Sequence, residues 1–241
     1  METGTPPHRA DPVVVTAALR RAAEYGPFFV LDLPATGRRA RDTPLADLYR
    51  PAGQFDLAEL VDHHARRLRT DERRVAASLL FQGIAARLWS PVVGCAPAGL
   101  VPDLDPEHLR WWRASPLGLG ASQPGGWAVA DAAEHADLAV RTVVQANLAP
   151  LAATLRRSVP IAEGLLWGNA ASALVGAAQV ADGDITRALV VELLTREPLR
   201  GTTTTIPGGG PLAVRRRSCC LYYRAPGGGL CGDCALHAAP A

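Results

Sequence analysis

The sequence contains no lysine, a single methionine and few aromatic residues, which make up 5% of its 241 residues. All 25 positive charges are therefore arginines, and 23 acidic residues leave a net charge of only +2. This near-neutral balance argues against a protein that coats nucleic acid through general electrostatic attraction. Hydrophobic residues make up 48% of the chain, which excludes wholesale disorder and supplies the material for a packed core.

Long uninterrupted apolar runs are also missing from the sequence. An Arg, Asp or Glu interrupts each apolar stretch before it reaches the roughly 18 to 20 residues that a membrane-spanning helix needs. Residues 1–11 include two prolines and lack the apolar segment of a secretory signal, so we expect a flexible N-terminus. We therefore expect a cytoplasmic protein without a membrane span, in a compartment where thiols stay reduced.

Residues 12–198 form the predicted body of the protein, and most of the body has helical periodicity. Apolar residues recur at a spacing that predicts helices over residues 12–25, 57–68, 71–89, 131–155, 162–180 and 185–196. Pro150 is expected to kink or divide the helix that contains it. Residues 28–33 and 108–113 are predicted as short strands, and residues 34–54 as a loop. The fold class is therefore α+β, with a predominantly α-helical body and a few short strands.

After Pro198 the composition changes to threonine, glycine and then arginine, so residues 199–241 are predicted as a small cysteine-rich C-terminal module. Four of the five cysteines lie in this module, within sixteen residues. They occur as adjacent Cys219 and Cys220, then ten residues, then Cys231-Gly-Asp-Cys234. In a reducing compartment, such a cluster of cysteines indicates a bound metal.

The spacing of the four cysteines favours an iron-sulfur cluster over zinc. The Cα atoms of Cys219 and Cys220 lie about 3.8 Å apart, so bringing both sulfurs to one tetrahedral ion requires an unusual backbone. A [2Fe-2S] cluster has two irons, and adjacent cysteines can serve one iron or divide between the two. We therefore predict one [2Fe-2S] cluster on these cysteines, with zinc as the alternative and the pairing of ligands open.

Arginines surround the predicted cluster, namely Arg215, Arg216, Arg217 and Arg224. Residues 211–241 carry a net charge of +3, so the basic character of the chain belongs to its end. A thiolate-ligated cluster is negative and gains one more negative charge on reduction, which nearby cations ease. The same arginines are equally compatible with a solvated surface.

The string RRRSCCLYYRAPGGGLCGDCAL, residues 215–236, resembles the C-terminal signature of the FhuF-like ferric-siderophore reductases. The family's pattern of two adjacent cysteines, ten residues and a CxxC pair matches at all four positions. The segments LLFQGIAARLWSP, residues 79–91, and LLWGNAAS, residues 165–172, are also similar to family segments. The resemblance implies that one [2Fe-2S] cluster reduces siderophore-bound Fe(III) to Fe(II) in the cytoplasm. No nicotinamide-binding glycine fingerprint is visible, so a separate electron donor is expected.

A candidate substrate surface consists of the aromatic and cationic side chains Trp111, Trp112, Arg113 and Trp167. An aromatic wall with a nearby cation would suit a bound siderophore, whereas core packing is the commoner explanation for tryptophan. Cys95 stands alone in an apolar setting and is predicted to be a packed core residue. His63 and His64 point about 100° apart on a helix and are predicted to be surface residues, and His237 to be exposed near the chain end.

Three functions therefore agree with the sequence. The first is a ferric-siderophore reductase, which the resemblance implies. The second is a non-enzymatic binding protein in which zinc on the same cysteines holds the C-terminal module against the body. The third is an iron-sulfur electron carrier or sensor that has no siderophore substrate.

Overall fold

The computed structural model describes residues 7–33, 43–50, 57–114 and 117–237. The first six residues of the expected flexible N-terminus lie outside the described residues, as does most of the loop expected over residues 34–54. The α-helices of the described residues are α1 (Pro12–Ala23), α2 (Leu57–Leu68), α3 (Arg73–Cys95), α4 (Ala132–Ala139), α5 (Ala149–Ser158), α6 (Glu163–Val180) and α7 (Asp184–Leu194). These helices confirm the predominantly helical body.

The long helix α3 forms the centre of the body and packs along α6, with α1 and α2 against its other sides. Both central helices are apolar around most of their circumference, which is typical of helices buried among others. Small residues dominate α6, so the two helix backbones approach closely. The predicted helix over residues 71–89 is correct in type but too short, because α3 continues through Pro91 to Cys95.

Residues 28–33 were predicted as a strand, and this prediction is wrong. Among the described residues, this segment forms only an isolated bridge, between Asp32 and Gly120. Its backbone is instead held by the buried guanidinium of Arg87 on α3. That group donates to the carbonyl oxygens of Pro27, Phe28 and Val30 at 2.6 to 2.7 Å. A side chain thus takes the place of the neighbouring strand that would satisfy these carbonyls in a sheet.

The strands of the described residues pair into three small antiparallel sheets. The pairs are β1 (Leu100–Pro102) with β4 (Gly126–Ala128), β2 (Leu109–Trp112) with β3 (Gly118–Ala121), and β5 (Thr203–Thr205) with β6 (Val214–Arg216). The prediction of a short strand over residues 108–113 is confirmed by β2. The pair β5–β6 lies in the predicted C-terminal module. Val214 of β6 and Leu212, which precedes it, join the main hydrophobic core.

The helical stretch that contains Pro150 is continuous over Ala132–Ser158, so it is not divided at the proline; instead, the helix changes type just before Pro150. Helix α4 passes into a wide π-helical segment over Val140–Leu148, and α5 then begins with Pro150 in its first turn. Proline suits the first turn of a helix because its missing N–H has no partner there. In the π segment, the amide of Asn147 donates to the carbonyl oxygens of Thr142 and Leu104, at 2.7 and 2.8 Å.

Two helical stretches are long and apolar enough, by length and composition alone, to cross a membrane. They are Arg73–Ala98 and Ala132–Ser158, and 78% and 56% of their most apolar windows are buried inside the protein. Buried core helices of soluble proteins pass the same test.

Candidate metal centre

The four C-terminal cysteines lie together against the N-terminal half of α3 and the start of α6. The Sγ atoms of Cys220 and Cys231 are 3.7 Å apart, and Cys219 lies close enough to Cys220 and Cys234 for both to raise its pKa, though less than burial does. Cys220 and Cys234 are buried, whereas Cys219 and Cys231 are partly exposed. Folding therefore gathers thiols separated by ten residues of sequence into one group.

Backbone amides and tight turns hold the sulfurs in place. The N–H groups of Leu221 and Leu236 donate to the sulfurs of Cys219 and Cys234, at 3.3 and 3.4 Å. Between the two cysteine pairs, the chain folds back at Gly228. A Cβ there would lie 2.0 Å from the carbonyl oxygen of Tyr222, so only glycine fits this close approach.

The separation of Cys220 and Cys231 fits shared metal ligation. Two thiolates about 2.3 Å from one tetrahedral metal lie about 3.8 Å apart, close to the 3.7 Å found between these sulfurs. Among the described residues, no group of three or more Cys, His, Asp or Glu side chains converges on a single ion. The arrangement, with one pair at ligand spacing and two further thiols beside it, suits a two-iron cluster better than one zinc ion.

Arg216 places a buried positive charge against this group of sulfurs. Its side chain is fully buried, and Nη2 donates to the Sγ atom of Cys231. Its Nη1 atom donates to Oδ1 of Asn169 at 2.9 Å, and Nε lies 3.0 Å from Oδ2 of Asp233 in an ion pair. Burial lowers the pKa of Arg216, but Asp233, Cys220 and Cys231 outweigh that effect and raise it overall. The guanidinium is therefore charged and fixed beside the sulfurs.

Two polar side chains of the central helices anchor the cysteine segment. Asn169 of α6 donates through Nδ2 to the carbonyl oxygen and to Oγ of Ser78 on α3, both at 2.9 Å. Ser78 in turn donates through Oγ to the carbonyl oxygen of Cys220 at 2.6 Å. Gly168 lets the segment approach α6, because a Cβ there would lie 2.2 Å from Oγ of Ser218.

The other three arginines of the predicted electrostatic group lie farther from the sulfurs or face elsewhere. Arg224 pairs with Glu72 at 3.0 Å on the surface, Arg217 is exposed, and Arg215 occupies the opposite side of β6 from buried Arg216. The structure thus brings one of the four arginines, Arg216, into contact with a sulfur.

Burial makes the thiols of Cys231 and Cys219 weaker acids. It raises the pKa of Cys231 to about 12, with Cys220 and Asp233 acting in the same direction and Arg216 in the opposite one. The pKa of Cys219 is also raised, chiefly by burial. Thiols of this kind become thiolates when a metal replaces their protons, because the metal supplies the missing positive charge.

A cavity of about 630 Å³ reaches the turn between Cys231 and Cys234, and we call it the CxxC cavity. Gly232 and Asp233, which lie between Cys231 and Cys234, form part of its wall. The rest of the wall comes from α3, α6, the segment of residues 25–29, β6 and the connection between β5 and β6, and it is mostly apolar. The cavity is large enough for an organic ligand of several hundred daltons.

The expected tryptophan surface is not formed in the way that the sequence suggested. Trp111 and Trp167 are buried, 3% and 8% exposed, because each packs in the hydrophobic core. Trp167 contacts Phe81 edge-on and donates to Glu163. Trp112 is half-buried with its ring against Gly118. The exposed Arg113 lies apart from the CxxC cavity and lines a second cavity.

The structure also places the isolated cysteine and the three histidines that the sequence analysis considered. Cys95 is buried in the core, as predicted, and burial raises its pKa to about 12. His237 is exposed, as predicted, and its Nε2 lies 2.9 Å from the carbonyl oxygen of Cys231. His63 and His64 are half-buried and line the same cavity as Arg113, and among the described residues they belong to no group of three or more possible metal ligands.

Sequence reasoning missed Ser78 and Asn169, which hold the cysteine segment. Both are polar residues inside otherwise apolar helices, and that signal is visible in the sequence. A buried polar side chain needs a partner, so each such position indicates a contact with another part of the chain.

A helical body that carries four neighbouring thiols in its C-terminal segment has the arrangement expected of the class of small cysteine-ligated metal proteins. Within this class, residues 216–236 match the family described as the FhuF 2Fe-2S C-terminal domain. The match includes all four cysteines and Arg216, and it confirms the resemblance for this segment and the assignment as an iron-sulfur protein. No curated protein matches the chain.

Proposed function

We propose that this protein is a cytoplasmic ferric-siderophore reductase that carries one [2Fe-2S] cluster on Cys219, Cys220, Cys231 and Cys234. The observation that carries the proposal is the turn between Cys231 and Cys234, which joins two of the cysteines and contributes Gly232 and Asp233 to the wall of the CxxC cavity. A ligand in that cavity would lie beside the cluster, which is the arrangement that one-electron transfer to a bound metal requires.

When bound, the cluster supplies one-electron redox chemistry. A separate donor protein gives up one electron, and the siderophore-bound Fe(III) takes up that electron and becomes Fe(II). Siderophores hold iron through hard oxygen donors, which bind Fe(II) much more weakly, so one electron is enough to loosen the metal. The protein therefore needs no proton-transferring group for this reaction.

The chain's own residues would bind the substrate and position the electron carrier. The apolar wall of the CxxC cavity excludes water from the docked chelate. Arg216 donates to Cys231 and neutralises part of the charge at the sulfurs. Ser78 and Asn169 fix the cysteine segment on α3 and α6, so the distance between cavity and sulfurs stays constant.

The test uses anaerobically purified full-length protein that has been reduced chemically and freed of excess reductant. Mixing it with a ferric siderophore should restore the oxidised visible spectrum, and a ferrous-specific chelator should detect about one Fe(II) per reduced cluster. Iron and sulfide analysis should give about two of each per chain, whereas zinc without sulfide would contradict the proposal. A reduced protein that stays reduced with every ferric siderophore would instead indicate an electron carrier or sensor.

A further inference from the structure

A second cavity lies between α2 and α3 and has basic walls. Its volume is about 460 Å³, and we call it the histidine cavity. His63, His64 and Arg67 line it from α2, and Arg113 lines it from the residue that follows β2. Its apolar lining consists of Phe28, Leu60, Leu79, Leu80, Ile84 and Leu117. The described residues that line it include no acidic side chain.

The basic groups of this cavity lie close enough to influence one another. Burial lowers the pKa of His64, and the positive charge of Arg67 and then the neighbouring His63 lower it further. Two acidic side chains of α2 lie near these groups without lining the cavity. Glu59 forms an ion pair with Arg113 at 3.6 Å in which both side chains are exposed, and Asp62 pairs with Arg73 at 2.7 Å. Arg67 is exposed and has its positive charge beside the half-buried histidines, so an anion in the cavity would be attracted by the basic groups that line it.

The histidine cavity adjoins the CxxC cavity. Phe28 lines both cavities. On α3, Gln82 lines the CxxC cavity and the next residue, Gly83, lines the histidine cavity. Gly83 faces open space where a side chain would stand. The charge of the two cavities differs, because Asp233 is the one charged residue among the described lining of the CxxC cavity and is already paired with Arg216.

We propose that the histidine cavity binds free carboxylate groups of the ferric chelate whose iron-bearing part lies in the CxxC cavity. This inference rests on the proposed function and names its substrate class: ferric chelates that carry net negative charge on carboxylates. Arginine binds carboxylate through paired, charge-assisted hydrogen bonds, and half-buried imidazoles add donors at the cavity wall. The apolar lining beside these groups suits the carbon skeleton that joins the carboxylates to the iron-binding part.

Titration calorimetry with gallium(III) complexes tests the proposal, because gallium has the charge of Fe(III) but is not reduced by the protein. The probes are gallium citrate, which is anionic with free carboxylates, a neutral gallium trishydroxamate, and citrate alone. The variant Arg67→Gln/Arg113→Gln should bind gallium citrate at least tenfold more weakly than the unaltered protein. It should bind the neutral complex within twofold of the unaltered protein.

The matched control is Arg66→Gln, which removes an exposed arginine of α2 outside the cavity and should change both affinities less than twofold. Gly83→Leu places a side chain in the open space of the histidine cavity itself. It should weaken gallium citrate and leave the neutral complex within twofold of the unaltered protein, because only a complex with free carboxylates enters that cavity.

Three results would overturn the proposal: no binding of gallium citrate, equal binding in the Arg67→Gln/Arg113→Gln variant, or citrate alone binding as tightly as its complex. The last result would assign the cavity to a free carboxylate. These outcomes are separate from failure of the proposed function. A protein that reduces neutral ferric complexes but fails the calorimetric test retains the function and loses this inference. A protein that binds gallium citrate as expected but reduces no ferric complex retains the carboxylate site and loses the proposed function.

Discussion

Arg216 brings a buried positive charge into direct contact with the sulfur of Cys231. Its neighbour Arg217 is exposed, so solvent screens its charge. We predict that Arg216→Gln makes the reduction potential of the cluster more negative, because the added electron loses a nearby cation. If the reduced cluster loses about 1.4 kcal/mol of electrostatic stabilisation, its reduction potential falls by roughly 60 mV for a one-electron couple. We expect a shift of that order.

A redox titration followed by visible circular dichroism measures this shift. Arg217→Gln is the matched control and should change the potential by much less. Equal shifts in the two variants would show that contact with the sulfur is unimportant and that only the overall charge of the segment matters.

The four clustered cysteines and the isolated Cys95 should respond differently to replacement by serine. We predict that the single Cys→Ser replacements at residues 219, 220, 231 and 234 each lose the cluster or greatly destabilise it. Cys95→Ser should keep the visible spectrum, because its side chain lies in the apolar core away from the C-terminal sulfurs. Iron and sulfide content of anaerobically purified variants measures the effect, and a colourless Cys95→Ser protein beside a coloured Cys220→Ser protein would reverse the assignment.

His135 makes stability depend on pH, because burial lowers its pKa to about 4. The unfolded chain protonates this histidine near pH 6.5. Between these values the unfolded state therefore binds a proton that the folded state does not, and stability is lost as the pH falls from about 6.5 to 4. The contribution is about 3 kcal/mol in total, from roughly 1.4 kcal/mol per pH unit.

Urea unfolding at several pH values measures this dependence. His135→Leu should show a smaller loss between pH 6.5 and 4 than the unaltered protein, whatever its stability at neutral pH. His108→Gln, at an exposed histidine, should leave the slope unchanged. Identical slopes for the two variants would show that His135 is not the group responsible.

At the scale of elements, the contact between α3, α6 and the cysteine segment depends on Asn169. This side chain is fully buried and makes hydrogen bonds to Ser78 and Arg216. We predict that Asn169→Ala lowers the free energy of unfolding by about 2 kcal/mol, because it leaves buried partners unsatisfied. The cysteine segment should also lose its fixed position, so the purified variant should contain less iron.

Chemical denaturation and iron analysis test this prediction together. Gln179→Ala, at an exposed position on the same helix, is the control and should change neither quantity measurably. An Asn169→Ala protein of normal stability and full iron content would show that the hydrogen bonds between the elements do not hold the segment.

Elements differ in how far their own sequence determines them. The predicted helices agree with α1, α2, α6 and α7 to within a few residues, because each has an apolar face at helical spacing. The segment of residues 28–33 has the composition of a strand but finds no full strand partner in the described residues. Its carbonyls are satisfied by Arg87 from a helix far along the chain, and no local pattern reports such a contact.

At the scale of the whole molecule, the division of the chain into a body and a C-terminal module stays a prediction. Several apolar side chains of the segment 199–237 join the hydrophobic core, but this segment has little regular structure besides β5 and β6. We predict that removal of the metal loosens the chain after about Pro198 while the helices before it stay folded, because metal ligation supplies much of the segment's stability.

Hydrogen exchange on metal-free and metal-loaded protein measures this loosening residue by residue. Protection should fall in residues 199–237 and persist in α3 and α6. A loss of protection throughout the chain would show instead that the body and the C-terminal module form one cooperative unit.

The sequence by itself determined the helical body and the four-cysteine motif. Periodicity and residue spacing are local properties, so one chain reveals them. Only the tertiary structure decided that Arg216 rather than its neighbours contacts a sulfur, that Trp111 and Trp167 belong to the core, and that the histidines line a cavity. Those outcomes depend on which distant segments pack together, and long-range packing leaves no periodic signal in a single sequence.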